Sequence, residues 1–261
     1  MSARRGPCVG LHGPNGTLVR FWPLDPRPED VHIASIAKGL RSEPRFCGQT
    51  EPTWVVASHC VEASHILNED GSEPTPEERF ERLGHDVSEG LGLRDFPSPI
   101  RRHPDMRLDA YEDAHTLTMA AYAAKYNMAP EFWMKPHVKY VDAMMYRTEV
   151  RDFRQPGTWY DPTLIGPTLP YRLQSSTPQD AERQFLERFV ELCVATGRTE
   201  AANEGMLALE QLAPRGNGAI ESLNGAIESL VDYAFDKVVA YVSALPQLAL
   251  PRVSKTDNFG V

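Results

Sequence analysis

Apolar residues recur three and four positions apart along most of this chain, which is the spacing of a helix with one buried face. The pattern predicts helices over about 31–41, 53–67, 107–127, 131–152 and 178–196, and one more that begins at Pro76 after an N-cap at Thr75. Asp30 is the expected N-cap of the first helix. Residues 17–22 alternate loosely and predict a short strand, whereas residues 1–16, rich in Gly, Pro and Arg, are expected to be poorly ordered. We therefore expect an all-α fold with a short N-terminal β segment.

A tandem repeat marks the C-terminal part of the chain. The sequence Asn-Gly-Ala-Ile-Glu-Ser-Leu fills positions 217–223 and again 224–230. In a helix, this period places four apolar residues on one stripe: Ile220, Leu223, Ile227 and Leu230. We expect residues 1–196 to form the main domain and residues 197–261 to form a helical extension packed on it. The alternative is that the stripe joins two copies of the chain in a homo-oligomer.

Composition excludes several classes of function. The net charge is −9, from 36 acidic and 27 basic residues, which argues against binding to extended nucleic acid. No apolar run is long enough to span a membrane. The four cysteines are scattered and form no Cys-x-x-Cys pair, so we expect free thiols in a reducing compartment such as the cytoplasm: Cys8, Cys47, Cys60 and Cys193.

Metal-ligating residue types occur in a suggestive order. His85 and Asp86 are adjacent, His59 lies 26 residues upstream, and Asp142 lies 56 residues downstream of Asp86. Two imidazoles with two carboxylates suit a divalent transition metal such as Mn, Co, Zn or Fe, and leave positions for water and a phosphate oxygen. We expect these four residues, on three predicted helices, to bind one ion.

Two further residues fit the same chemistry. Glu89 follows Asp86 by three residues, so it faces the same cleft, and we expect it outside the metal's ligands, orienting water or carrying a proton. Arg45 suits a phosphate clamp because its planar guanidinium donates two parallel hydrogen bonds. Six other histidines are expected to be ordinary core or surface residues: His12, His32, His65, His103, His115 and His137.

The order of these motifs resembles the HD-domain phosphohydrolases, within them the branch of bacterial 5′-deoxynucleotidases and phage-encoded relatives. The likeness extends from about residue 16 to about residue 192 and rests on six segments: 45–50, 56–60, 85–89, 96–100, 138–142 and 148–152. The resemblance implies the HD-domain helical fold and one metal ion on the four residues named above. It also implies that Arg45 and Phe46 bind the substrate and that Glu89 and Asp95 assist hydrolysis.

The expected activity follows from the same resemblance. We expect metal-dependent hydrolysis of a 5′-deoxynucleoside monophosphate to a deoxynucleoside and phosphate, in a bacterial cell or one infected by a phage. One alternative is a dNTP triphosphohydrolase, in particular one that releases triphosphate from dATP. A second is a non-catalytic HD scaffold that binds a partner. The substrate's base and phosphate number stay open at this point.

Overall fold

A computed structural model describes residues 5–97, 101, 103–154 and 165–212. Over these residues the chain is mostly helical with a short two-stranded sheet, as expected. None of the described helices is long and apolar enough to cross a membrane. The elements in chain order are β1 (Val9–His12), β2 (Leu18–Phe21), α1 (Ile33–Leu40), α2 (Val56–Ala63), α3 (Pro76–Leu83), α4 (Val87–Gly90), α5 (Asp109–Lys125), α6 (Pro136–Phe153), α7 (Pro178–Ala195) and α8 (Thr199–Leu212).

The N-terminal sheet corrects one expectation. β1 pairs antiparallel with β2 across a tight turn in which Asn15 and Gly16 have positive φ angles of 58° and 70°. Val9 and Leu11 of β1 pack against the main core. This alternating apolar pair fixes the strand on the core, although its composition had predicted poor order. The prediction of poor order for residues 1–16 is therefore wrong for this stretch, while residues 1–4 lie outside the described part.

The start of α1 also differs from the expectation. Asp30 does not cap this helix: it ends a 3-10 turn, and its carboxylate accepts a hydrogen bond from the backbone N–H of Arg27 at 3.0 Å. The N-cap position is His32, whose side chain makes no capping bond. The free amide of Ile33 instead donates to the carboxylate of Glu204, on α8, at 3.1 Å. A side chain 171 residues away in the sequence thus accepts a hydrogen bond from one of the free backbone N–H groups at the start of α1.

The long helix α7 organises the main core. Its N-cap Thr177 accepts a hydrogen bond from the backbone N–H of Asp180, and Phe185 and Phe189 form part of its buried face. α7 packs against α1, α2, α3 and α8. Packing of α8 on α7 places the first part of the expected C-terminal extension on the core. The remainder, 213–261, including the repeat, lies outside the described residues.

A second apolar cluster fixes α6 against the region of α2. Trp54 and Ile66, on either side of α2, pack with Val141 and Met145 of α6. Phe153, at the end of α6, stacks on Trp54 with 4.7 Å between ring centroids. This packing turns one face of α6 toward α2. The helix begins at Pro136 rather than near 131 as predicted, because residues 132–134 form a separate 3-10 turn.

A close backbone approach joins α1 to α4. A Cβ atom added at Gly39 would lie 2.1 Å from the backbone oxygen of Gly90. Only a residue without a side chain fits there, so the two glycines set the position of α4 and of Glu89 on it.

We predict that Gly39→Ala lowers the free energy of unfolding by about 1–3 kcal/mol, because the added methyl group forces α1 and α4 apart. Urea unfolding followed by circular dichroism measures the change. Lys38→Ala, on the same helix, is the control and should change stability by less than about 0.5 kcal/mol. Equal stability of Gly39→Ala and wild type would contradict the close approach.

Candidate metal centre

Three parts of the fold bring the four expected ligands together. His59 lies in the middle of α2, Asp142 lies on α6, and His85 and Asp86 lie in the turn between α3 and α4. One ligand atom from each of the four falls within 4.8 Å of every other. In the described part of the chain, no other three His, Cys, Asp or Glu side chains are close enough to share an ion. Two buried imidazoles and two carboxylates are thus placed to hold a metal ion.

The turn that carries His85 and Asp86 has local causes. Thr75 and Glu78 form a capping box that starts α3, as the sequence predicted at Thr75. Gly84 ends that helix, and Asp86 occupies the N-cap position of α4. A side chain at Gly84 would meet the ring of Tyr122 at 2.9 Å, so α5 packs directly on the turn. The expectation that the His-Asp pair lies within the helix is wrong, since α3 ends at Leu83.

The separations between the ligand atoms fit one ion. Two atoms bound at about 2.1 Å lie about 3.0 Å apart at a right angle and about 3.4 Å apart at a tetrahedral angle. The His59 Nε2 atom lies 3.0 Å from His85 Nε2 and 3.6 Å from an oxygen of both Asp86 and Asp142. His85 Nε2 lies 3.3 Å and 3.8 Å from the same two oxygens. The donor set therefore passes a geometric test for a small divalent cation.

Hydrogen bonds fix the orientation of both imidazole rings. The Nδ1–H of His85 donates to the backbone oxygen of Arg82 at 2.6 Å, and that of His59 donates to Glu149 Oε1 at 2.6 Å. In a neutral imidazole, a proton on Nδ1 leaves a lone pair on Nε2. Both lone pairs then point into the same 3.0 Å gap. They repel each other unless a proton or a metal ion lies between them.

The electrostatics of the site favour positive charge. Burial alone lowers the pKa of His85, but the charges of Asp86 and Asp142 outweigh it and raise that pKa above its ordinary value. Burial alone raises the pKa of both carboxyls, yet the neighbouring imidazoles hold the pKa of Asp86 and of Asp142 below the usual range. Asp86 and Asp142 keep 19% and 35% of their side-chain surface exposed, so solvent reaches the site from the carboxylate side.

Arg45 lies buried at the edge of this cluster. Its backbone N–H donates to the backbone oxygen of Trp54 at 2.9 Å, which fastens its loop to the segment that leads into α2. Its Nη1 lies 3.6 Å from Asp86 and 3.7 Å from Asp95, and its Nη2 lies 3.3 Å from Glu149. The first two separations exceed a normal hydrogen bond, so Nη1 faces the site without a tight partner there.

Phe46 follows in an unusual backbone conformation. Phe46 and Cys47 both have φ near 55°, a left-handed conformation that costs a residue with a side chain about 1–3 kcal/mol. The Phe46 ring stacks on Tyr146 of α6 with 5.7 Å between centroids, and the guanidinium of Arg154 lies 5.3 Å from it. The stacking holds the ring against α6, one turn beyond Asp142.

Glu89 and Asp95 border the cluster on the α4 side. Glu89 is buried, and its Oε2 has no hydrogen-bond partner among the described residues. Burial and the charges of Asp86 and Asp95 raise the pKa of Glu89 well above its ordinary value, with Arg45 opposing. Burial also raises the pKa of Asp95, although Arg45 lowers it again in part. The amide of Asp95 donates to Glu43 at 3.2 Å.

Two carboxylates of the site, those of Glu149 and Glu43, were given no role from the sequence. Glu149 is fully buried beside His59 and Arg45, and Glu43 lies beside Asp95. Glu149 follows Asp142 by seven residues, which is almost two helical turns, so both face the site from α6. That spacing was a usable signal, whereas nothing in the local sequence marks Glu43.

Comparison with known proteins identifies a relative whose activity is not stated. No protein-family model matches the chain. Over 166 residues the chain is 31% identical to the uncharacterized protein YfdR of Escherichia coli (strain K12). The alignment covers 63% of this chain and 85% of that protein. The name of the relative states no reaction, so the chemistry has to be argued from the site.

We predict that Zn²⁺ stabilises the metal-free protein, by about 4 kcal/mol when the free ion is about 1,000 times its Kd, because the ion binds only the folded site. Thermal unfolding of chelator-treated protein with and without Zn²⁺ measures this. His85→Ala should abolish the stabilisation, whereas His103→Ala, an exposed histidine outside the cluster, should preserve it. Equal stabilisation of all three proteins would show that the ion binds elsewhere.

Proposed function

This chain belongs to the same family as the uncharacterized protein YfdR of Escherichia coli, and from its site we propose that it is a metal-dependent phosphohydrolase of the HD-domain type. The substrate we propose is a 5′-deoxynucleoside monophosphate, hydrolysed to a deoxynucleoside and phosphate. One observation carries the proposal: two imidazoles and two carboxylates converge beside an arginine and a buried glutamic acid. The imidazoles and carboxylates would bind a metal, the arginine would bind an anion, and the glutamic acid would carry a proton, all in one place.

The proposed cofactor is one divalent transition metal held by His59, His85, Asp86 and Asp142. Mixed nitrogen and oxygen ligation suits Mn, Co, Zn or Fe better than Ca or Mg. When bound, such an ion polarises a phosphoryl oxygen and lowers the pKa of a bound water. The partly exposed carboxylate side is where the substrate would approach.

Arg45 is the proposed phosphate ligand. The carboxylates nearest its Nη1 atom, those of Asp86 and Asp95, lie 3.6 and 3.7 Å away, which is beyond a normal hydrogen bond. The Nη1 hydrogens are therefore available to a closer anion. A phosphate oxygen at about 2.8 Å would form a charge-assisted hydrogen bond in a site that is largely shielded from water. We assign to Phe46, whose ring stacks on Tyr146 of α6, the contact with the sugar or base of the same nucleotide.

Glu89 is the proposed proton donor. Burial and the charges of Asp86 and Asp95 raise its pKa, which favours the protonated form that a proton donor needs. As water attacks phosphorus and the bond to the 5′ oxygen breaks, Glu89 delivers its proton to that leaving oxygen. Asp95, 3.7 Å from Nη1 of Arg45, would hold the attacking water by accepting a hydrogen bond from it.

The buried glutamic acid also argues for catalysis over a purely structural role. Among the described residues Glu89 Oε2 has no hydrogen-bond partner, and leaving a buried carboxyl oxygen unpaired costs stability. A catalytic acid, in contrast, needs an unengaged proton close to the substrate. This supports an enzyme in preference to a non-catalytic HD scaffold.

We predict that the metal-loaded protein releases phosphate from 2′-deoxynucleoside monophosphates and that a chelator abolishes the reaction. The measurement is a screen of dNMPs, NMPs and dNTPs with Mn²⁺, Co²⁺ and Zn²⁺, with the products identified by chromatography. Triphosphate released from dATP would move the activity to a dNTP triphosphohydrolase at the same site. Rapid cleavage of another phosphoester with no nucleotide cleaved would refute the proposed substrate class.

We predict that Glu89→Gln slows turnover by about 10²–10⁴-fold while metal content and nucleotide affinity stay close to wild type. The amide keeps the shape of the side chain but has no acidic proton to give. Glu182→Gln is the matched control, because it changes another buried carboxyl, paired with Arg41, and should leave turnover unaltered. Loss of the metal in Glu89→Gln would make Glu89 a ligand, and unchanged turnover would remove its role.

A further inference from the structure

We propose that Glu149 is a positioning residue that holds the metal ligand His59 and the phosphate-binding Arg45 with the two oxygens of one carboxylate. This inference rests on the proposed function, since it gives His59 and Arg45 the roles assigned there. Glu149 lies too deep to touch a substrate, with its side chain fully buried on α6. Its effect on the reaction must therefore pass through the two residues it holds.

The two oxygens of Glu149 have different partners. Oε1 accepts hydrogen bonds from Nδ1 of His59 at 2.6 Å and from Nε1 of Trp54 at 2.7 Å. Oε2 faces Arg45, with Nε at 3.4 Å and Nη2 at 3.3 Å. One oxygen thus serves the metal ligand and the other serves the arginine. The spacing between His59 and Arg45 is then set by a single carboxylate group.

The acceptor type of this side chain matters as much as its position, because both oxygens of Glu149 face N–H donors of His59, Trp54 and Arg45. A charged carboxylate behind an imidazole keeps the proton on Nδ1 and makes Nε2 a better donor to a metal. It also compensates the buried guanidinium of Arg45, which would otherwise be drawn toward Asp86 and Asp95.

An amide cannot replace the carboxylate, for a geometric reason. If the oxygen of Glu149→Gln takes the place of Oε1, its NH₂ group points at the guanidinium of Arg45, donor against donor. If the amide is turned over, the NH₂ group points at the Nδ1–H of His59 instead. Either orientation loses one of the two partners. The substitution must therefore weaken the metal site, the phosphate site or both.

The test compares Glu149→Gln with the matched control Glu182→Gln. For each folded protein, Zn²⁺ affinity is measured by competition with a chelator, and binding of inorganic phosphate to the Zn²⁺-loaded protein is measured by calorimetry. We expect Glu149→Gln to lose about 10–100-fold in Zn²⁺ affinity, about tenfold in phosphate affinity, or both. Glu182→Gln should stay within about twofold of wild type in both.

Each result has a definite meaning. Zn²⁺ and phosphate affinities of Glu149→Gln that both stay within about twofold of wild type would overturn the inference, as would equal losses in the control. Neither measurement depends on turnover. A wild-type protein that binds Zn²⁺ and phosphate but cleaves no nucleotide would refute the proposed function alone. A wild-type protein that binds no Zn²⁺ would refute both.

A measurement on the wild-type protein decides the matter if Glu149→Gln does not fold. Nitrogen-15 NMR of the histidine side chains in Zn²⁺-loaded protein distinguishes a protonated Nδ1 from a metal-bound one. We expect the ring of His59 to carry its proton on Nδ1, facing Glu149, and to bind the ion through Nε2. A His59 ring that binds through Nδ1, or that lacks the Nδ1 proton, would overturn the inference.

Discussion

The facing Nε2 atoms of His59 and His85, 3.0 Å apart, are the interaction on which the rest of the site depends. Each ring is held by a hydrogen bond from its Nδ1, so neither can turn its lone pair away. Two lone pairs at this distance repel each other unless a proton or a metal ion lies between them. The surrounding acids, Asp86 and Asp142, supply the negative charge that such a cation requires, so the cluster could hold a metal ion.

Several packing contacts between helices hold that pair of histidines in place. α7 fixes α2 and α3 against one core, while a second apolar cluster brings α6 up to α2. The glycine contact between α1 and α4 then places Glu89 near the acids. These packing contacts come from residues far apart in sequence, and they bring charged groups into a buried space where each must find a partner. Among the described residues Glu89 is the charged group whose Oε2 has no such partner, and it is the residue to which we assign the acid chemistry.

Local patterns predicted much of this architecture, and long-range contacts account for what they missed. The capping box at Thr75 and the apolar stripe of α7 are short-range signals, so the helical fold followed from them. The start of α1 was mispredicted because Glu204, distant in sequence, takes the place of the expected cap at Asp30. The four ligand types stood out by identity and order. Glu149 did not, since its partners meet only after α6 docks on α2.

The central claim is that His59, His85, Asp86 and Asp142 together bind one divalent ion. X-ray absorption spectroscopy of protein loaded with one equivalent of Co²⁺ or Zn²⁺ tests it most directly. We predict a stoichiometry of one ion per chain and a first shell of nitrogen and oxygen atoms at about 2.0–2.2 Å, with the scattering of two imidazole rings behind it. Failure to bind one equivalent, or a shell of sulfur at about 2.3 Å from the cysteines, would contradict the account.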